Sequence, residues 1–194
     1  HPTVKAKSVA ELIKLAKKGP NPFQYGSAGV GTVGHLAGEL FAHMASIKMA
    51  HIPYKGSGPM MADLLGGHIK ASFTNVPVAH GNVSGGKLRA LAVASAKRSS
   101  MMPDVPTAAE SGLPGYEAAL LYGLVAPAGT PKSIVDRLNK ELRAALATDA
   151  VRKRLATEGA DAAPSSPADY AADIDREEIA WSKLLKSIGL HAKK

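Results

Sequence analysis

The residues most suited to chemistry lie in one stretch, YGSAGVGTVGHLAGELF, which begins at Tyr25. Gly29 and Gly31 let the backbone adopt positive φ values and approach a ligand closely, and Ser27 and Thr32 add hydroxyl donors. The apolar residues that follow recur at helical spacing, which predicts a helix. Unpaired N–H groups and the positive end of the dipole at a helix start form a site for an anion. The stretch therefore predicts a binding site for a carboxylate or a phosphate.

The same glycines, from Gly29 to Gly34, satisfy G-x-G-x-x-G, the dinucleotide-binding fingerprint. A Rossmann unit also needs an Asp or Glu about 20 residues further on to bind the ribose hydroxyl. That region here reads KMAHIPYKG and contains no acid. A dinucleotide-binding oxidoreductase therefore stays as the alternative hypothesis. A purely structural interpretation also stands, in which Gly34 and Gly38 only serve a tight turn into a helix.

Strands and helices are predicted to alternate around this stretch. Ser8 and Glu11 form a capping box, which predicts a helix that ends at Lys18. The other expected elements are a strand ending at Gly26, the helix that follows it, a strand over His51 to Tyr54, a helix after the turn at Lys55 to Pro59, a strand over Ile69 to Phe73 and a buried strand over Leu88 to Val93.

Three predicted strands end at Gly26, Tyr54 and Thr74, each followed by a small or hydrogen-bonding turn. In an open α/β sheet such turns lie together at the carboxyl edge, where ligands bind. The nearest acids, Glu39 and Asp63, fall on helices downstream, and neither a nucleophile elbow nor a P-loop is present. The pattern predicts a cleft, but it does not predict a reaction.

The second part of the chain has a different pattern. A linker-like, proline-containing stretch runs from Ala94 to Tyr116, and Ala119 to Ala126 is apolar like a central strand. Helices are then predicted from Thr130, from Asp149 and from Ser166. Their apolar stripes need a sheet to cover them, and the sequence scarcely supplies one. The first part of the chain, another copy or a complementing fragment could cover them, and we expect association in preference to a well-behaved monomer.

Composition narrows the function further. The chain has 194 residues, 45% of them hydrophobic, which is enough for a packed core, and it has no cysteine and therefore no disulfide or thiolate metal site. The net charge is +8, but the basic residues are scattered and aromatic residues make up 5%, so no nucleic-acid partner is expected. The histidine spacing does not predict a metal site, and no cofactor is expected. Because the chain opens with His1-Pro2, we expect a mature or trimmed product without its signal peptide.

Five segments in order carry a resemblance over nearly the whole chain: YGSAGVGTVGHLAGELF, HIPYKGSGPMMADLLGGHI, KLRALAVASAKR, MPDVPTAAESGLPGYE and YGLVAPAGTPKSIVDRLN. The chain resembles the substrate-binding proteins of tripartite tricarboxylate transporters, the Bug or TctC family. The resemblance implies an α/β, type II periplasmic-binding-protein-like fold of Venus flytrap form. It also implies that the family's first portion has no counterpart before His1. We thus expect residues 1–118 to form one complete lobe, the family's second, and residues 119–194 to form the C-terminal part of the other.

The resemblance implies a periplasmic protein that captures a small carboxylate or related organic anion and passes it to membrane permease subunits, and that is not an enzyme. Thr74-Asn75 falls where many relatives have Asp-Asn, which leaves the identity of the solute open. Leu121 and Tyr122 would mark the return to the first lobe. The implied ligand-binding residues, including those already identified at the helix start, are Ser27, Ala28, Gly29, Gly31, Thr32, His35, Tyr54, Lys55, Gly56, Thr74 and Asn75.

Overall fold

The computed structural model of this chain describes residues 1–189. The chain divides into two compact units, the first from His1 to Leu120 and the second beginning at Leu121. The first unit contains α1 (Val9–Lys18), β1 (Phe23–Ser27), α2 (Val33–Ala45), β2 (Met49–Pro53), α3 (Ser57–Leu65), β3 (Ala71–Ser72) and α4 (Val76–Ser84). The second unit contains α5 (Lys132–Ala147), α6 (Asp149–Thr157) and α7 (Pro167–Ser187).

A parallel three-stranded sheet with the order β2-β1-β3 forms the centre of the first unit. Neighbouring residues of β1 face opposite sides of the sheet. Tyr25 lies against Gly38 of α2, whereas a Cβ at Gly26 would meet Met60 of α3. Helices therefore cover both faces. Because each strand leads directly into a helix, the starts of α2, α3 and α4 follow the carboxyl ends of the three neighbouring strands.

Each face of the sheet has its own packed core. On the α3 side, Met60, Met61, Leu64, Ile69 and Leu88 form a buried cluster. The α2 side is aromatic: Phe73 packs edge-on against Tyr25, and Phe41 contacts both Phe73 and Tyr116. The buried hydroxyl of Tyr116 donates to the carbonyl of Ala37, 2.9 Å away, which ties the end of the unit to α2.

The predictions for α1 to α3, β1 and β2 are confirmed, with Ser8 capping α1 and Thr32 capping α2. The strand predicted over Leu88 to Val93 is wrong, because the only pairing formed in this segment is an isolated bridge between Val93 and Thr107. An apolar segment becomes a strand only when a neighbouring strand satisfies its backbone. Residues 76–84, for which no element was predicted, form α4.

The strand predicted over Ala119 to Ala126 is also wrong. No strand is assigned to this segment, and Tyr122, Leu124 and Val125 are 81%, 71% and 80% exposed. The three helices expected after it are confirmed, and α7 begins with the predicted capping box of Ser166 and Asp169. No residue of α5 or α6 is buried. The apolar stripes of this unit therefore stay largely exposed, as the lack of a covering sheet requires.

Candidate anion-binding site

The turn between β1 and α2 lies at the protein surface. Val30 is 72% exposed, and Gly29 and Gly31 have φ values of +145° and +78°, which strain any other residue. Thr32 caps α2 by accepting a hydrogen bond from the N–H of His35 and donates its own hydroxyl proton to the Gly29 carbonyl, 2.7 Å away. The glycines thus shape an open turn whose backbone amides lie ahead of the helix.

Several amides of this turn have no partner within the described residues. They include Val33 and Gly34 in the first turn of α2, and Ala28 and Val30 before it. A helix start leaves such N–H groups unpaired and adds the positive end of the helix dipole. The turn can therefore donate several hydrogen bonds to one anion without any change in the fold.

A buried layer of polar side chains holds the turn from below. Ser27 is fully buried, and its hydroxyl lies 2.6 Å from Nε2 of His51 and 3.0 Å from the Gly29 carbonyl. The ring of His35 stacks on His51 at 4.1 Å, and its Nδ1 accepts a hydrogen bond from the N–H of Gly31. Tyr25 donates to the Glu39 carboxylate at 2.8 Å. These contacts fix the turn and hold α2 against the sheet.

The titratable groups of this layer are shifted by burial. Burial lowers the pKa of His35 below its ordinary value, while the nearby Glu39 charge acts in the opposite direction. Burial also lowers the pKa of His51, with a further contribution from His35. Both imidazoles are thereby favoured in the neutral form. His35 must be unprotonated at Nδ1, because this atom accepts the hydrogen bond from the N–H of Gly31.

The loop after β2 lies against this turn. The N–H of Tyr54 donates to the Ser27 carbonyl and that of Gly56 to the Ala28 carbonyl, at 3.1 and 2.9 Å. A Cβ at Gly29 would lie 3.2 Å from the Tyr54 carbonyl. Gly56, with φ +109°, precedes α3 without any side-chain cap, so the amides at the start of α3 add to those of α2. Lys55 is exposed in the same loop.

The loop after β3, residues 73–75, is the third loop at the carboxyl edge of the sheet. The carbonyl of Phe73 lies so close to Gly34 that a Cβ at Gly34 would collide with this carbonyl. Thr74, the next residue, is therefore held near the first turn of α2. Asn75 is exposed and precedes α4 without a side-chain cap. Neither side chain forms a hydrogen bond to the described protein. The structural interpretation of Gly34 and Gly38 is supported here, since both glycines permit a close approach that a Cβ would block.

Several side chains predicted to bind the ligand form contacts within the protein, and their role in binding stays a prediction. The hydroxyl of Ser27 is not a free donor, because it is buried and bonded to His51. His35 is only 5% exposed, and its ring lies beneath the turn. The Tyr54 hydroxyl donates to Asp63 at 2.7 Å, and desolvation together with this bond raises the pKa of Tyr54 to about 12. These residues position the backbone of the site. Sequence reasoning did not single out His51, and only the strand register reveals its place beside Tyr25.

The residues after β2 do not support the hypothesis of a dinucleotide-binding oxidoreductase. A Rossmann unit carries its ribose-binding acid at the end of the second strand. In this structure β2 ends at Pro53 and continues into Tyr54 and Lys55. No carboxylate is available at that position. Among residues 1–189, no group of three His, Cys, Asp or Glu side chains is arranged to hold a metal ion.

Comparison with known proteins identifies the family. The model of the tripartite tricarboxylate transporter family receptors matches residues 1–190. Protein BugT of Bordetella pertussis is 35% identical over 193 residues, which cover 100% of this chain and 59% of BugT. A UPF0065 protein from the tcbD-tcbE intergenic region of Pseudomonas sp. strain P51 is 37% identical over 96% of this chain and 56% of its own length. The chain belongs to the tripartite tricarboxylate transporter receptor family.

Solved structures agree with this assignment. The R. palustris protein Rpa4515 with adipate matches with a TM-score of 0.83 and 37% identity, over 96% of this chain and 62% of that protein. MatC from Rhodopseudomonas palustris with bound malate matches with a TM-score of 0.76 and 28% identity, over 93% and 63%. The predicted fold class, α/β and type II periplasmic-binding-protein-like, is confirmed. The chain spans less than two thirds of the length of these relatives. In the described residues, no helix combines the length and the hydrophobicity needed to cross a membrane.

Proposed function

We propose that this protein is a periplasmic solute-binding protein that captures a small carboxylate and delivers it to the permease subunits of a tripartite tricarboxylate-type transporter. One observation carries the proposal. The starts of α2, α3 and α4 all follow neighbouring parallel strands, so the unpaired N–H groups of α2 and α3 lie at the same edge of the sheet. Such donors bind a carboxylate, as they bind other small anions, without a metal or a cofactor.

The charge of the chain supports an anionic solute. Its net charge is +8, and exposed Lys55 lies in the loop between β2 and α3. A positive potential at an open edge raises the local concentration of anions and the rate at which they associate. The amides of the turn supply directional bonds, and the lysine supplies charge.

Dicarboxylates are the best first candidates. Two family structures contain adipate and malate, which shows that relatives of this fold accept dicarboxylates of different length. In this chain Thr74 and Asn75 offer a hydroxyl and an amide but no carboxylate at the edge of the site. The absence of a carboxylate at these two positions favours a solute with a second anionic or hydrogen-bonding group over a solute with an amino group.

A thermal-shift screen tests the proposal. Adipate, malate, a tricarboxylate, an aromatic acid and a neutral diamide are compared at one ionic strength. A solute at 100 times its dissociation constant stabilises the fold by about 2.7 kcal/mol, which is readily detected. We expect at least one carboxylate to stabilise the protein and the diamide to have no effect. Equal shifts with the diamide, or none with any acid, would contradict carboxylate capture. Co-purification with the permease subunits encoded by the source organism tests the delivery step.

A further inference from the structure

The buried layer beneath the turn between β1 and α2 contains two imidazoles, and a proton would affect them differently. Nδ1 of His35 accepts a hydrogen bond from the N–H of Gly31, and its Nε2 lies 3.9 Å from a carboxylate oxygen of Glu39. A proton on Nδ1 would convert this acceptor into a donor and break the bond to the turn. His35 therefore holds the turn only while it is neutral.

His51 can accept a proton without losing its hydrogen bond. Its Nε2 lies 2.6 Å from the hydroxyl of Ser27, and that hydroxyl lies 3.0 Å from the Gly29 carbonyl. A doubly protonated His51 donates from Nε2 to Ser27, and Ser27 donates to the carbonyl, so each donor has an acceptor. Nδ1 of His51 forms no hydrogen bond to the described residues, and no buried polar side-chain atom among them lacks a partner. Nδ1 is thus open to solvent, from which it can take up a proton.

The titratable groups that face His51 come from the two elements packed against it. Tyr25, its register partner in β1, stacks on it at 5.1 Å, and His35 of α2 stacks on it at 4.1 Å. The hydroxyl of Tyr25 donates to the carboxylate of Glu39. Burial and His35 lower the pKa of His51, whereas the charge of Glu39 acts to raise it. A further negative charge nearby would shift His51 toward its ionised form.

An anion bound at the turn supplies this negative charge. The hydroxyl of Ser27 also accepts a hydrogen bond from the N–H of Gly29, 3.2 Å away, so only two hydrogen bonds separate His51 from the backbone of the turn. The amides of Ala28 and Val30, on either side of Gly29, have no partner within the described residues. A carboxylate that accepts hydrogen bonds from these amides lies close to the ring of His51.

We propose that the protein takes up a proton at His51 when it binds its carboxylate. This inference rests on the proposed function, because the bound anion supplies the charge that favours protonation. The proton and the solute then increase each other's affinity by the same factor. The solute is held more tightly at mildly acidic pH and is released more readily as the pH rises.

Calorimetric titration with adipate tests this coupling. The affinity is measured at about pH 8 and about pH 6, on either side of the ordinary pKa of histidine, and buffers of different ionisation enthalpy give the number of protons taken up. We expect net proton uptake at the lower pH and binding that is at least about twofold tighter there. His51→Gln keeps an N–H for Ser27 but cannot ionise, so it should show neither effect. His43→Gln, at an exposed position in the last turn of α2, is the matched control and should show both.

Nuclear magnetic resonance of the unmutated protein gives a second measurement that does not depend on a variant that binds. The ring signals of His51, assigned by their loss in His51→Gln, are titrated with pH in the absence and presence of saturating adipate. The midpoint should rise by about one pH unit, the effect of a nearby opposite charge. Adipate binding without proton uptake and with an unchanged midpoint overturns the proposal and leaves carboxylate capture standing. Weaker binding at the lower pH also overturns it, because protonation would then open the turn. Failure of every carboxylate to bind removes the proposed function together with this inference.

Discussion

Replacing Gly29 with valine tests how the turn between β1 and α2 binds an anion. Gly29 has φ +145°, and its added Cβ would lie 3.2 Å from the Tyr54 carbonyl. The backbone strain costs about 1 to 3 kcal/mol, and displacement of the Gly29 carbonyl also weakens the Thr32 cap, which is worth about 1 kcal/mol. This total is below the roughly 5 to 15 kcal/mol that stabilises a domain. Gly29→Val should therefore fold but bind a short dicarboxylate at least tenfold more weakly.

Gly81→Ala is the matched control for this experiment. A Cβ at Gly81 meets no atom within 4 Å, and the residue lies inside α4. This substitution should raise stability by about 0.5 to 1 kcal/mol and leave affinity unchanged. Urea unfolding and calorimetric titration of both variants separate the two effects. Wild-type affinity in a folded Gly29→Val protein would move the binding site away from this turn.

Three further predictions concern the supporting structure. Burial lowers the pKa of His35 and His51, so as the pH falls the unfolded chain binds protons before the folded protein does. The free energy of unfolding should therefore be at its full value above about pH 6.5. Below that pH it should fall by up to about 1.4 kcal/mol per pH unit for each proton. Urea unfolding across pH should show this slope, and a His35→Gln, His51→Gln double variant should flatten it. Gly38→Ala should lower the free energy of unfolding by about 1 to 3 kcal/mol, because its Cβ would collide with the buried ring of Tyr25; a thermal midpoint equal to that of the parent would disprove this packing argument. The exposed apolar side chains of α5 and α7 predict self-association, so light scattering at micromolar concentration should give a mass above 20.0 kDa, and a monodisperse monomer would contradict it.

Local signals explain why the first part of the fold could be predicted. Capping residues such as Ser8 and Thr32, and the glycines of the turn, determine conformation through neighbours a few residues away. The strand predicted over Leu88 to Val93 depends on a pairing partner, which no local pattern can reveal. α4 was not predicted because Pro77 and Gly81 are untypical of a helix interior and its apolar residues show no clear helical periodicity. Proline is nevertheless well tolerated in the first turn of a helix.

The sequence predicts the backbone conformation of the candidate site, but it does not predict where the side chains of the site lie. The glycine pattern predicts the open turn and the unpaired amides. It does not reveal that Ser27 and His35 face inward, because this depends on His51, which strand pairing brings beside Tyr25. A hydroxyl or an imidazole near a glycine turn has the same sequence signature whether it contacts a ligand or holds the turn in place.

The central claim is that amides at the starts of neighbouring helices bind the carboxylate. Titration of the ¹⁵N-labelled protein with a short dicarboxylate tests it most directly, because each amide reports separately. The largest shift changes should occur at residues 28–34 and 55–58 and follow one binding curve. Saturable binding that leaves these amides unshifted, or that shifts only residues elsewhere, would contradict the account.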